Sequence, residues 1–155
     1  MKFALEPSAP TSIPAAFMVA QQKNPLIKPR YMLGHEIIDF DHIAIAKGWF
    51  RAVHCEVIQF PFFVARLKKL MRGHFDHEAE LMGLAGGSLC CCHRREHQAL
   101  LEFCDEAAAL NERNPRKAAT LLRSQFPKLF RNHIIESDSL AVLFIHSNGG
   151  ARCAC

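Results

Sequence analysis

Ligand-type side chains recur in this sequence at helical spacing. His74 and Glu78 stand four residues apart, and so do His93 and His97. Each pair therefore shares one face of a helix, one turn apart. His133 and Asp138 are five residues apart. That step exceeds one α-turn, so Asp138 points to the same side only where the helix locally widens or ends. His42 precedes them all. Imidazole and carboxylate are metal ligands, and five of the first with two of the second describe a metal site. The plainer reading of any one of them is a hydrogen-bonded core histidine. Seven on four core-facing stripes are harder to explain that way. Burying them without partners costs several kcal/mol per charged group, and a bound metal removes that penalty.

The ligand count narrows the metal. A structural zinc wants four ligands, often thiolates. Five histidines and two carboxylates exceed what one tetrahedral ion can use, whereas two ions bridged by both carboxylates use all seven. Imidazole and carboxylate without thiolate suit iron. Competing motifs fail. His77-Glu78 begins a zinc-protease motif, but Leu81 stands where its second histidine belongs. The ferritin-like pattern needs two Glu-x-x-His pairs, and the nearest approach is Asp39-x-x-His42. No cysteine pair precedes His93 and His97 at zinc-finger spacing.

Helices must position these residues. The first is expected to start at Asp39 or Asp41, either of which could cap it, and to run to about Val57. The second starts near Pro61, a favoured first-turn residue. It places Phe63, Leu67, Leu70, His74, Glu78 and Leu81 on one stripe and ends at Gly86-Gly87. The third runs from about Leu89 to Leu110, with His93, His97, Leu101, Cys104 and Ala108 on one face. Asn114-Pro115 breaks the chain. The fourth runs from about Arg116 to Glu136, carries Leu122, Phe126, Leu129 and His133 inward, and should kink at Pro127. Residues 139–146 can add a short helix. No period-two alternation suggests strands. The expected fold is all-α: an antiparallel up-down four-helix bundle over 35–146, with a Pro-rich N-terminal arm over 1–34 and a short C-terminal tail over 147–155.

Composition fits one globular domain. The chain has 155 residues, 50% of them apolar and 22% charged. A net charge of +4 from scattered basic residues gives no nucleic-acid footprint. Seven cysteines are an odd number, which excludes a fully paired disulfide framework. Reduced thiols and a cytoplasmic location are expected. Glu6, Pro7, Pro10 and Pro14 interrupt the start, so no signal peptide is expected there. No run of ~18 apolar residues is present, so membrane insertion is not expected.

The ordered elements resemble the hemerythrin-like family, specifically its bacterial members. They are Ile38-Asp39-Phe40-Asp41-His42, then His74-Phe75-x-x-Glu78 with Leu81-Met82, then His93-x-x-x-His97, then Leu129-Phe130-x-x-His133-Ile134-x-x-x-Asp138. The resemblance covers about residues 34–138 and implies an oxo- or hydroxo-bridged di-iron centre without haem. By position it assigns His93, His97 and His133 to one iron and His42 and His74 to the other, with Glu78 and Asp138 bridging. In that family dioxygen binds reversibly at the open position of the second iron. The implied role is oxygen storage, delivery or buffering, with an oxygen-consuming enzyme or a reductant as partner, rather than catalysis. A peroxidase, a nitric-oxide or peroxide scavenger, and a sensor are the alternatives. The histidine-rich set argues against the enzymes, since catalytic di-iron bundles generally use more carboxylates, and a sensor would more often be fused to another domain. The family often has Trp-Leu where Leu129-Phe130 stand here, so a larger Phe130 reshapes the oxygen pocket.

Trp49, Phe50, Phe75, Leu129 and Phe130 are candidates for an apolar wall around that position. His35, His54, His77 and His146 read as surface or partly packed, with His35 and His77 possible supporting groups. Cys90-Cys91-Cys92 lies where the third helix begins, beside Arg94 and Arg95, a setting that favours reactive thiols. Cys153 and Cys155 fall in the Gly-rich tail, where oxidation would cross-link chains. Oligomeric state is left open.

Overall fold

The computed structural model describes residues 24–147, which are helical with no strand among them. Four long helices follow in order: α1 (Glu36–His54), α2 (Phe60–Leu84), α3 (Cys91–Arg113) and α4 (Pro115–His133). A π-helical segment, Ile134–Asp138, leads into a short α5 (Ser139–His146). Single 3-10 turns lie at Pro29–Tyr31 and Val57–Gln59. Each long helix packs on the next, and α1 also meets α4, which is consistent with a helical bundle.

Local chemistry sets the helix ends. α1 starts at Glu36, earlier than Asp39, because Asp39 does not cap it. The Asp39 carboxylate instead accepts from the N–H groups of Leu33 at 2.7 Å and Gly34 at 2.9 Å, tying the entering loop to the first turn. The helix also ends at His54, short of Val57, which belongs to the 3-10 turn. α2 opens with Pro61 in its first turn, as expected. It closes at Gly86, whose φ of 81° is cheap only for glycine. Asn114 is the single residue between α3 and α4: its N–H donates to the Leu110 carbonyl, and its side chain accepts from the Lys117 N–H. α4 runs through Pro127 without interruption.

The buried faces are shifted from the expected stripes. On α2, Met71, Phe75 and Met82 are buried, while Phe63, Leu70 and Leu81 are only half-buried. On α3, Leu100 and Ala107 replace Leu101 and Ala108. On α4, Phe130 is fully buried and Leu129 is 43% exposed. A bundle helix buries an arc wider than one line of side chains, so a line through every third or fourth residue misses its centre by one position. The apolar part of the core includes Ile45, Trp49, Leu67, Met71, Leu122 and Phe126.

The described end of the expected N-terminal arm packs on the helices. Leu26 and Tyr31 are buried, and the Asn24 amide donates to the Ala46 carbonyl at 2.8 Å. The rest of that arm, residues 1–23, lies outside the described residues, as do residues 148–155 of the tail with Cys153 and Cys155. Among the described residues, no helix is long and apolar enough to cross a membrane.

Candidate metal centre

Five elements each bring ligand-type groups to one buried place. α1 supplies His42, α2 supplies His74 and Glu78, and α3 supplies His93 and His97; α4 supplies His133 and the π segment supplies Asp138. All seven are buried, with His74, Glu78 and Asp138 at 0% exposure. The π segment meets the requirement set by the five-residue step. Its wider turn carries Asp138 round to the side of His133, and their nearest atoms, Nε2 and Oδ1, are 2.9 Å apart.

Asp138 sits at the middle of the cluster. Its Oδ2 is 3.0 Å from His42 Nε2 and 3.6 Å from His74 Nε2. Its Oδ1 is 3.1 Å from His93 Nε2. Glu78 Oε2 lies 3.0 Å from His97 Nε2, 3.3 Å from His93 Nε2 and 3.7 Å from His74 Nε2. One ligand atom each from Glu78, His93, His97, His133 and Asp138 lie within 4.8 Å of one another, and so do those of His42, His74 and Asp138. The two groups share Asp138.

Several of these atoms are close without being bonded. Both Glu78 oxygens, both His74 nitrogens, His97 Nε2 and His133 Nε2 are buried with no hydrogen-bond partner among the described residues. Most of them nevertheless lie 2.9–3.7 Å from a group of opposite type. Buried ligand atoms left without hydrogen bonds this close together are what a cation would satisfy. The donor set is hard to intermediate, with imidazole and carboxylate and no thiolate, and it could hold a metal ion of that kind.

Without a cation, protons must do the balancing. Burial lowers the pKa of His74, but Asp138, Asp41 and Glu78 outweigh burial and push it up to about 10. For His93, burial is likewise overcome by Asp138 and Glu78, which push it up to about 9. Burial lowers His97. Burial raises Asp138, yet His133, His42 and His74 hold it well below the ordinary carboxylate range. The sign for stability follows. The raised His74 and His93 stabilise the metal-free fold fully below their ordinary value of 6.5, and this contribution is lost as pH rises through about 9 to about 10. The depressed Asp138 contributes above the ordinary carboxylate range and loses its contribution as pH falls through its lowered value. Thermal midpoints of the metal-free chain are therefore expected to fall as pH rises from about 6.5 to about 10, and those of the metal-loaded chain, whose imidazoles are already neutral, should not. Parallel midpoints for both forms across that range would contradict this.

Three supporting residues carry no ligand spacing and escape a reading of the sequence. Glu96 Oε2 lies 2.8 Å from His133 Nδ1, and the Ser137 hydroxyl donates to the same oxygen. Asp41 Oδ2 lies 3.7 Å from His74 Nδ1 and 2.7 Å from His77 Nδ1. A carboxylate on the far nitrogen fixes the tautomer and aim of a ligating imidazole. An acid beside a histidine was the available signal, since Asp41 adjoins His42 and Glu96 adjoins His97, but each serves a histidine on a different helix. Glu96→Gln is expected to weaken metal binding by about 10–100-fold, read by competition with a chelator of known affinity; unchanged affinity would make Glu96 a bystander.

The apolar wall is smaller than expected. Phe75 stacks on His97, with centroids 3.7 Å apart, and Phe130 meets His42 edge-on at 5.6 Å. Trp49 packs in the apolar core and donates its indole N–H to the Leu122 carbonyl. Phe50 lies against the exposed His54, with centroids 4.1 Å apart. Leu129 lines a cavity of about 200 Å³ that reaches His133, together with Glu96, Ala99, Leu100, Asn132 and Glu136. A second cavity of about 400 Å³ reaches Asp41 and His77 near His74, beside Arg66 and Lys69. Of the remaining histidines, His54, His77 and His146 are exposed, and the half-buried His35 stacks on His146 at 5.8 Å.

Comparison of the chain with protein-family models, with curated proteins and with solved structures found no match, so the function rests on the geometry of this cluster.

Proposed function

We propose that this is a hemerythrin-like protein that binds dioxygen reversibly at a pair of iron ions, for oxygen storage, delivery or buffering and not as an enzyme. One observation carries the reading: seven ligand-type side chains from four helices and a π segment converge at a single buried point. In this reading His93, His97 and His133 would hold one iron and His42 and His74 the other, with Glu78 and Asp138 as the carboxylates they would share. The grouping of donor atoms around a shared Asp138 supports that division. The helices form an antiparallel up-down bundle, supported by the short connections between packed neighbours. The arm is its N-terminal extension, and the setting is a reducing cytoplasm.

When bound, the iron pair supplies the electrons that dioxygen takes up and gives back. The chain's own residues make that exchange reversible. With two histidines against three, the His42–His74 side would hold its ion with fewer ligands and would be the side where dioxygen could bind. Phe130, edge-on to His42, covers that side with apolar surface. Phe75 holds the His97 ring in place. Burial of the carboxylates keeps water and anions away from the ligands. Asp41 and Glu96 aim the imidazoles of His74 and His133.

Oxygen-electrode measurements test this. The anaerobically reduced, iron-loaded chain is expected to take up one dioxygen per iron pair and return it under vacuum. Continuous consumption with a supplied reductant would instead show an oxidase or peroxidase.

A further inference from the structure

A second reactive site lies at the start of α3. Cys90 is the residue that caps this helix, and its sulfur accepts from the His93 N–H at 3.4 Å. Cys92, two residues on, places its sulfur 2.6 Å from that of Cys90. The two sulfurs are not bonded to each other, yet they stand only about half an ångström farther apart than the covalent sulfur–sulfur length of about 2.05 Å. Their separation is well short of the roughly 3.8 Å between two thiolates bound tetrahedrally to one zinc. Neither group of metal-competent residues among the described residues includes a cysteine. The pair is thus arranged for a bond between the sulfurs, not for holding an ion.

We propose that Cys90 and Cys92 form a reversible intrachain disulfide, a two-electron redox site separate from the histidine–carboxylate cluster. The oxidant is a low-molecular-weight disulfide of the glutathione type. One cysteine sulfur attacks a sulfur of that disulfide, forming a mixed disulfide and releasing one thiol. The second cysteine sulfur then displaces the other thiol. Two cysteine protons and two electrons end on two glutathione molecules, and one sulfur–sulfur bond replaces another. Both cysteines are half-buried at the protein surface, so a small disulfide reaches them. Cys104 offers a contrast, since burial in the core pushes its thiol up to about 12 and keeps it inert. Closure ties the helix cap to the residue directly before His93.

The test equilibrates the full-length reduced chain with a series of oxidised-to-reduced glutathione ratios, blocks remaining thiols with an alkylating agent, and maps peptides by mass. Cys90 and Cys92 are expected to lose alkylation together, in a peptide lighter by two hydrogens in which Cys91 is still alkylated. Excess reduced glutathione should restore both. Cys90→Ser, which keeps a good capping residue, and Cys92→Ser should each stop at a mixed glutathione adduct, while Cys91→Ser should leave the bond unchanged. A bond through Cys91, Cys153 or Cys155, a bond between chains, or no bond at the most oxidising ratio would overturn the proposal.

Discussion

Replacing Asp138 by Ala is expected to strip the cluster of metal. The Asp138 carboxylate touches His42, His93 and His133 within 3.1 Å and His74 at 3.6 Å, so every helix that supplies a histidine meets it. It also belongs to both groups of potential ligands. Losing a group that only supports a ligand weakens metal binding by about 10–100-fold; losing a carboxylate common to both groups of candidate ligands should exceed that. The chain should bind less than one ion where two are expected. The substitution also removes a buried anion that balances protonated imidazoles in the metal-free state, and breaking such a pair costs roughly 3–5 kcal/mol. Asp138→Asn removes the same charge but keeps the shape, so it leaves no cavity: the folded fraction of this variant should still fail to hold two ions. Metal analysis after gel filtration reads both variants. His54→Ala serves as the control, because His54 is exposed and bonded only to its own helix at the Phe50 carbonyl. Full metal content in Asp138→Asn would mean that the cluster is not organised around this carboxylate.

Removing the metal is expected to produce the second large effect. Buried ligand atoms from α1, α2, α3 and α4 come together here, so an ion there would join four helices at once. A ligand that binds only the folded chain stabilises it by ~4 kcal/mol when present at 1,000 times its Kd. For a chain of this size that corresponds to roughly 8–16 °C in thermal midpoint. Scanning calorimetry of the iron-loaded chain, before and after a chelator, should show a fall of that order. Iron binding at neutral pH should also release protons, because His74 and His93 are protonated in the metal-free chain. An unchanged midpoint and no proton release would place any bound iron elsewhere.

The parts of this site that were legible in the sequence are those fixed by helical geometry. His74 with Glu78 and His93 with His97 are one turn apart, so the chain alone puts each pair on one face. The five-residue step to Asp138 was legible as a demand for a wider turn, and the π segment supplies it. Helix ends were legible where a residue has one strong local preference, as with Asn114-Pro115 and Gly86. Asp39 misled because its carboxylate serves the loop before the helix and not the helix itself. Leu129 misled because neighbouring helices, and not periodicity alone, decide which side of an arc is sealed; Phe130, also expected at the wall, is the buried one. Asp41, Glu96 and Ser137 were hidden for the same reason. Asp41 and Glu96 each support a histidine on another helix, and Ser137 acts through Glu96, so no spacing within one helix reveals them.

The most direct test of the proposed function is the visible absorption of the iron-loaded chain through repeated cycles of air and deoxygenation. Iron should be present at two per chain. The reduced protein should be colourless, gain a visible band on exposure to air, and lose it when dioxygen is removed, over several cycles. His74→Ala and His97→Ala should abolish the band, and His54→Ala should keep it. A single zinc per chain, no metal after loading with iron, or a colour change that dioxygen removal cannot reverse would contradict reversible oxygen binding at this cluster.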